Sequence, residues 1–249
     1  MTIELRMIGT GNAFAKRHYN NNALLQCDGF TAAIDFGCTA PFSLHQMNVQ
    51  LGEIDAVVLS HLHADHIGGF EELGFYHKFT SPRRPTLFVS ELLAEPLWEQ
   101  SLKGGMCSEA DGFTSLDSFF DVVLYKEGEP FHVHDRLRFE AVRTEHIALK
   151  PSFSFIINDH FFYSADMKFD RALLEHVVYE RGCDVIFHDC QLAEPGLVHA
   201  ALGELLTLPE DIQRRTFLMH YPDEMEEYRG RTGHMTIAEK HKTYSFLRG

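Results

Sequence analysis

The stretch His61-Leu62-His63-Ala64-Asp65-His66 directly follows the apolar run Ala56-Val57-Val58-Leu59-Ser60. In extended backbone the side chains of positions 61 and 63 point to the same side, so both imidazoles can reach one metal ion. Imidazole and carboxylate are ligands that zinc prefers, with manganese or iron as alternatives. A tetrahedral catalytic ion takes three protein ligands and keeps its fourth position open, so four ligand-type side chains in six residues predict two ions.

Other apolar runs also end in a histidine or an aspartate. The runs that begin at Phe139, Phe161, Val185 and Phe217 reach the ligand-type residues His146, Asp166, His188-Asp189 and His220. In open α/β sheets, ligands bind at the carboxyl ends of the strands. Five predicted strands, counting the one before His61, thus deliver a side chain of metal-ligand type to such an end.

Short runs rich in Val, Ile and Phe, separated by Gly, Asp and Asn, predict strands, and longer amphipathic stretches between them predict helices. Strands are predicted over 3–8, 23–27, 31–35, 56–60, 86–89, 137–142, 154–157, 161–164, 185–187 and 217–219, and helices over 41–49, 71–79, 91–102, 172–179 and 202–206. Early hairpins followed by alternation with helices predict a layered, mixed-sheet α/β fold. We expect one domain over residues 1–249, with an inserted surface loop at about 103–120.

The composition excludes several classes of protein. Of 249 residues 45% are hydrophobic and 23% are charged, as in ordinary globular proteins, so a disordered chain is excluded. The formal net charge is −14, which disfavours binding to long nucleic acid. Five Cys without a CxxC pair indicate neither a disulfide framework nor a zinc knuckle. We see no secretory leader and no apolar stretch of about 18 residues, so we expect a cytoplasmic protein without a membrane segment.

The HxHxDH stretch resembles the signature of the metallo-β-lactamase-fold hydrolases, and the resemblance extends over nearly the whole chain. It implies an αββα sandwich with two mixed sheets and two Zn²⁺ per chain, with Mn²⁺ as the alternative. By this resemblance His61, His63 and His146 hold the first ion. Asp65, His66 and His220 hold the second, and Asp166 bridges the two.

The turn Gly9-Thr10-Gly11-Asn12-Ala13-Phe14 is similar to the Gly-Thr-Gly-Ser-Ala turn of the phosphodiesterase branch that includes tRNase Z. His188-Asp189-Cys190 lies where tRNase Z has His-Glu-Ala-Thr, and His199 resembles a downstream histidine of that enzyme. The resemblance makes Asp65, His188, Asp189 and His199 the candidate catalytic residues. His199, with help from His188 or Asp189, would protonate the leaving oxygen. The alternative that His199 is a solvated residue without a catalytic role stays open.

The segment 97–106 is foreign to tRNase Z. Together with residues 72–75, 188–192, 198–200 and 219–221, it resembles the anti-Pycsar proteins, phage enzymes with relatives encoded in bacteria that degrade cyclic nucleotide second messengers. The resemblance implies hydrolysis of 3′,5′-cyclic mononucleotides (cCMP, cUMP, cAMP and cGMP) to nucleoside 5′-monophosphates, in a bacterial cytoplasm. It also implies a homodimer.

Two other functions stay open at this point. One is an enzyme that processes RNA 3′ ends or cleaves another small cyclic phosphate ester. The other is a sponge that binds a cyclic nucleotide without cutting it.

We further expect the segment 104–120, which carries Met106, Phe113, Phe119 and Phe120, to project from its own chain and pack on the partner subunit, since exposed apolar patches usually mark contacts.

Overall fold

The computed structural model describes residues 2–247, so Met1, Arg248 and Gly249 lie outside the described residues. The described chain divides into two compact units. The first unit comprises residues 2–9, 22–126 and 241–247, and the second comprises residues 10–21 and 127–240. Each unit contains one sheet of seven strands. That residues 1–249 act as a single domain stays a prediction.

The sheet of the first unit has the strand order β14-β1-β2-β3-β4-β5-β6. Its strands are β1 (Thr2–Gly9), β2 (Asn22–Cys27), β3 (Phe30–Ile34), β4 (Ala56–Val58), β5 (Thr86–Ser90), β6 (Asp121–Tyr125) and β14 (Thr243–Leu247). Strands β3 to β6 are parallel, whereas β1 pairs antiparallel with both β2 and β14. All three residues of β4 are buried, as the unbroken apolar run predicts for a strand covered on both faces.

The helices of the first unit lie between its strands. They are α1 (Ala40–Gln46), α2 (Ala64–Ile67), α3 (Phe70–Phe79), α4 (Ala94–Leu97) and α5 (Lys103–Met106), with a π-helical turn over Trp98–Leu102 and 3₁₀ turns over Leu51–Glu53, Glu109–Asp111 and Leu116–Ser118. Pro41 occupies the first turn of α1, where the missing N–H costs no hydrogen bond. The predicted helices at 41–49, 71–79 and 91–102 are present with shifted ends.

The segment 103–120 corrects our expectation of a projecting apolar loop. It contains α5 and two 3₁₀ turns, and Met106, Phe119 and Phe120 are at most 1% exposed. A Cβ built on Gly74 of α3 would come within 2.7 Å of the Met106 side chain and 3.2 Å of the Phe120 ring. The segment therefore packs on α3 of its own chain, because the missing side chain of Gly74 leaves room for these groups.

The sheet of the second unit has the order β13-β12-β11-β10-β9-β8-β7. Its strands are β7 (Pro130–His134), β8 (Leu137–Arg143), β9 (Phe153–Ile157), β10 (Phe161–Tyr163), β11 (Val185–Asp189), β12 (Thr216–Met219) and β13 (Thr236–Ile237), and its helices are α6 (Arg171–Tyr179), α7 (Leu202–Leu205) and α8 (Glu210–Gln213), followed by a 3₁₀ segment over Asp223–Tyr228. Pairing is antiparallel from β7 to β10 and parallel from β10 to β13. One face packs on α6 through Leu174, Val177, Ile186 and Leu218, all fully buried.

The mixed α/β class with two mixed sheets is confirmed. The strands that the sequence did not reveal are β6, β7, β13 and β14, all of which lie at or next to the end of a sheet. In β6 three of the five residues are exposed, so the strand lacks the apolar run that marks a central strand. Within residues 2–247 no helix combines the length and apolarity needed to cross a membrane.

Candidate metal centre

Most of the predicted ligands lie where strands end. In the second unit β8 is antiparallel to β9, and β9 is antiparallel to β10, so β8 runs in the same direction as β10, β11 and β12. Their carboxyl ends therefore share one edge, which carries His146, Asp166, Asp189 and His220. In the first unit His61 follows the carboxyl end of β4.

The first cluster, His61, His63, Asp65 and His66, lies in the first unit at the junction of β4 and α2. His61 Nε2 is 3.0 Å from His63 Nδ1, and the rings of His61 and His66 have centroids 4.1 Å apart. His66 Nε2 is 3.4 Å from Asp65 Oδ2. His61, Asp65 and His66 are buried, and His63 is partly exposed. The structure thus brings together the four ligand-type residues of the motif.

Two buried residues that the sequence analysis missed orient this cluster. His66 Nδ1 donates to Asp35 Oδ2 at 2.7 Å. Ser60 Oγ donates to the same oxygen at 2.6 Å and accepts from His61 Nδ1 at 3.0 Å. Each imidazole therefore carries its proton on Nδ1 and presents Nε2 as a lone-pair donor, an arrangement usual for metal-bound histidines. Asp35 directly follows β3, and it is the last residue of the strand predicted over 31–35, so its place at the end of that strand was the available signal.

A tight backbone contact holds the turn that carries Asp65. Asn22 Oδ1 accepts from Gly37 N at 2.8 Å, and Asn22 Nδ2 donates to Asp65 O at 3.2 Å. A Cβ on Gly37 would lie only 1.8 Å from that same carbonyl oxygen. Position 37 therefore needs glycine because the backbone of Asp65 passes directly against it.

The second cluster lies in the second unit and contains His146, Asp166, Asp189, His199 and His220. Asp166 Oδ2 is 3.3 Å from His220 Nε2 and 3.8 Å from His146 Nε2. His146 Nδ1 donates to the carbonyl oxygen of Val198 at 2.7 Å, which directs Nε2 toward Asp166. Burial lowers the pKa of His146 and keeps this ring neutral, the form that binds a metal.

Asp189 and His199 form a pair at the side of the second cluster. His199 Nδ1 donates to Asp189 Oδ2 at 2.9 Å, and the His199 ring lies between those of His146 and His220, with centroids 4.8 and 4.6 Å away. Burial of Asp189 raises its pKa, but hydrogen bonds and positive charge from His188 and His199 outweigh burial and hold that pKa below its usual value. The Asp189 carboxylate therefore stays ionised and orients His199, whose side chain is 19% exposed.

His188 occupies a different position from His199. It is fully buried in β11, and its Nδ1 donates to the backbone oxygen of Asp189 at 2.8 Å and lies 3.1 Å from Asp189 Oδ1. Among the described residues its Nε2 has no hydrogen-bond partner. His188 thus lies behind the Asp189 carboxylate and supports it, whereas His199 is the partly exposed imidazole.

The donor atoms of both clusters fit divalent metal ions. Ligand atoms at zinc–ligand distances of about 2.0–2.2 Å around a tetrahedral ion lie roughly 3.3 Å apart. The His66–Asp65 and His220–Asp166 distances have this length. In the second unit Asp166, Asp189, His199 and His220 each place a ligand atom within 4.8 Å of the others, and in the first unit Asp35, His61 and His66 do so. Nitrogen and carboxylate donors without thiolate are typical of hydrolytic zinc or manganese sites.

Comparison with known proteins identifies relatives along the full chain. The family model described as Anti-Pycsar protein Apyc1 matches residues 3–244. The Anti-Pycsar protein Apyc1 of Paenibacillus sp. (strain J14) is 51% identical over 245 residues, covering 98% of this chain and all of that protein. The protein of the same name from Bacillus phage vB_BsuM-Goe3 is 39% identical over 253 residues and covers 96% of each chain. Relatives thus occur in both bacteria and phages.

Comparison of structures identifies the fold. The metallo-β-lactamase fold protein YhfI from Bacillus subtilis superposes with a TM-score of 0.78 at 17% sequence identity, covering 99% of this chain and all of that one. The predicted metallo-β-lactamase fold is therefore confirmed.

Proposed function

Since the chain belongs to the Anti-Pycsar protein Apyc1 family, we propose that it hydrolyses 3′,5′-cyclic mononucleotides to nucleoside 5′-monophosphates and so defeats antiphage signalling by these messengers. It is a metal-dependent hydrolase of the metallo-β-lactamase fold. The observation that carries the proposal is the pair of imidazole–carboxylate clusters at strand ends, in a chain that matches the family from residue 3 to 244. The proposed substrates are cCMP, cUMP, cAMP and cGMP.

We propose that the two clusters together hold two Zn²⁺ per chain, with Mn²⁺ as the alternative. His61, His63 and His146 would hold one ion, Asp65, His66 and His220 the other, and Asp166 both. When bound, such ions lower the pKa of water, neutralise phosphoryl oxygens and orient the ester. The donors support this assignment, because His61, His66 and His146 each make a hydrogen bond through Nδ1, which directs Nε2 toward the other ligand-type residues of its cluster.

Hydrolysis adds water to phosphorus, breaks the bond to the 3′-oxygen and leaves that oxygen in need of a proton. We assign this proton to His199, because Asp189 accepts a hydrogen bond from its Nδ1 and so orients a ring that is partly exposed beside the metal ligands. A positioned general acid of this kind contributes about 10²–10⁴-fold to the rate. His188 acts indirectly by supporting Asp189.

The direct test separates products after incubation with each cyclic nucleotide. We expect nucleoside 5′-monophosphate and two metal ions per chain by elemental analysis. Asp166→Ala should abolish turnover and lower the metal content. One ion at saturation with full activity would contradict the binuclear assignment.

A second test addresses proton transfer. His199→Ala should lower turnover of a cyclic nucleotide by about 10²–10⁴-fold and leave the metal content unchanged. A nitrophenyl phosphodiester, whose leaving group needs no proton, should be affected much less. His176→Ala, which removes an exposed histidine of α6, is the matched control. Equal losses on both substrates would assign His199 a binding or structural role.

The two other functions give different results in the same assays. Efficient cleavage of a precursor tRNA would favour an RNA-processing enzyme, which the net charge of −14 disfavours. Recovery of intact cyclic nucleotide, bound but uncut, would identify a sponge.

We propose in addition a homodimer that acts in the cytoplasm. Light scattering can test the oligomeric state, and cell fractionation can test the localisation. The basis for packing of segment 104–120 on the partner subunit is removed, since Met106, Phe119 and Phe120 are buried in their own unit.

A further inference from the structure

Three large apolar side chains of the second unit are exposed on loops that carry or contact the second cluster. Phe14 is 84% exposed, Leu149 is fully exposed and Leu197 is 69% exposed. Leu149 follows His146 by three residues, and Leu197 precedes His199 by two. Single exposed apolar residues are normal on protein surfaces, but these three lie on loops that carry or contact one cluster, where an apolar part of a ligand would be bound.

The turn that carries Phe14 is rigid. Asn12 Oδ1 accepts from the backbone N–H groups of both Phe14 and Ala15, each at 3.0 Å. A few residues on, the carboxylate of Asp223 accepts from the N–H groups of residues 16 and 17, each at 2.9 Å. The Phe14 ring is therefore presented to solvent by a backbone with little freedom, so binding to it costs little ordering entropy.

The same turn lies beside the predicted metal ligand His220. Asn12 N donates to Tyr221 O at 3.0 Å, and Tyr221 N donates to Thr10 O at 3.2 Å. Gly11 allows the turn to fold back on itself, because a Cβ there would lie 2.4 Å from the Cβ of Ala15. Phe14 follows Asn12 by two residues, which places its Cα within about 7 Å of that of Asn12.

The loops of Leu149 and Leu197 meet at His146, another predicted ligand of this unit. His146 Nδ1 donates to the carbonyl oxygen of Val198, the residue between Leu197 and His199. Leu149 adopts φ +67°, a conformation that is unfavourable for a branched side chain. Strained backbone of this kind is concentrated at functional sites, and here it displays a fully exposed apolar side chain.

We infer that the Phe14 ring stacks on the nucleobase of the cyclic nucleotide and thereby holds the ester at the second cluster. This inference rests on the proposed function. The polar clusters suit the phosphate of the substrate, but they offer nothing to its base. Every base has a flat π-face on which an aromatic side chain can stack, whichever base it is. Stacking by Phe14 would therefore let one site accept both the pyrimidine and the purine cyclic nucleotides of the proposed function.

The experiment compares two cyclic phosphates in wild-type protein and in Phe14→Ala. One is cCMP, and the other is the same ribose 3′,5′-cyclic phosphate with a methoxy group in place of the base. We expect Phe14→Ala to lower kcat/KM for cCMP by about 5- to 150-fold, mostly through KM, and to leave the abasic ester unchanged. Phe14→Trp should retain the wild-type KM. Phe42→Ala, which removes a 70% exposed phenylalanine of α1, is the matched control and should have no effect.

The outcomes separate this inference from the proposed function. A wild-type protein that hydrolyses no cyclic nucleotide refutes the proposed function and the inference together. An active wild-type protein whose Phe14→Ala variant loses nothing, or loses equally on both esters, refutes the stacking role alone. A smaller oligomer of Phe14→Ala in light scattering would place Phe14 in a subunit interface and would also overturn the inference.

Discussion

The replacement Gly37→Ala tests whether the backbone contact at Asp65 holds the first cluster in place. The added Cβ would lie 1.8 Å from Asp65 O and 2.4 Å from Asp65 C. Contacts of a Cβ below 3.0 Å essentially do not occur, so one of the two backbones must move by more than about 1 Å. Neither backbone moves easily, because Asn22 bridges Gly37 N and Asp65 O with two hydrogen bonds.

The expected magnitude follows from this displacement. Overpacking of a rigid site costs about 1–3 kcal/mol of unfolding free energy. For a chain of this size each kcal/mol lowers Tm by about 2–4 °C, so we expect a decrease of about 2–12 °C. A shift of about 1 Å at Asp65 and His66 should also lower turnover by roughly 10²-fold.

Thermal unfolding and turnover of a cyclic nucleotide measure these two effects on one preparation, and elemental analysis measures its metal content. The matched control is Gly104→Ala, because a Cβ at Gly104 in α5 would meet nothing within 4 Å. This control should keep the wild-type Tm, metal content and rate. A Gly37→Ala variant that matched the control in all three measurements would show that the Asp65 turn is not held by this contact.

Two further predictions concern hydrogen bonds to buried or half-buried carboxylates. Asp35→Asn should weaken metal binding about 10–100-fold, because His66 loses the carboxylate that holds its Nδ1 proton. The far-ultraviolet circular dichroism spectrum should stay unchanged. Unchanged metal affinity in a titration would contradict this prediction. Arg181→Gln should lower unfolding free energy by about 1–2 kcal/mol at pH 7 in urea melts, because Arg181 binds both oxygens of Glu140. Hydrogen bonds and charge from Arg181 lower the pKa of Glu140, so this difference should be full above pH 4.5 and disappear as the pH falls further. The exposed Arg214→Gln should show no such difference.

The sequence by itself determined the chemistry of the candidate site and the class of the fold. His61 to His66 are consecutive in the chain, so their close approach depends only on local backbone geometry. The histidine or aspartate at the end of each apolar run could be assigned to a sheet edge, because strand direction follows from the order of the elements. Central strands such as β4 were predictable because burial on both faces requires an unbroken apolar run.

Only the tertiary structure decided which side chains orient the site and where the segment 103–120 lies. Asp35 and Ser60 are 25 residues apart, and their hydrogen bond depends on the pairing of β3 with β4. Met106 and Phe120 are separated from Gly74 by 32 and 46 residues, and their burial depends on space that a missing Cβ leaves on α3. A sequence pattern reports which residues prefer burial, but the partner that buries them is set by the packing of distant elements.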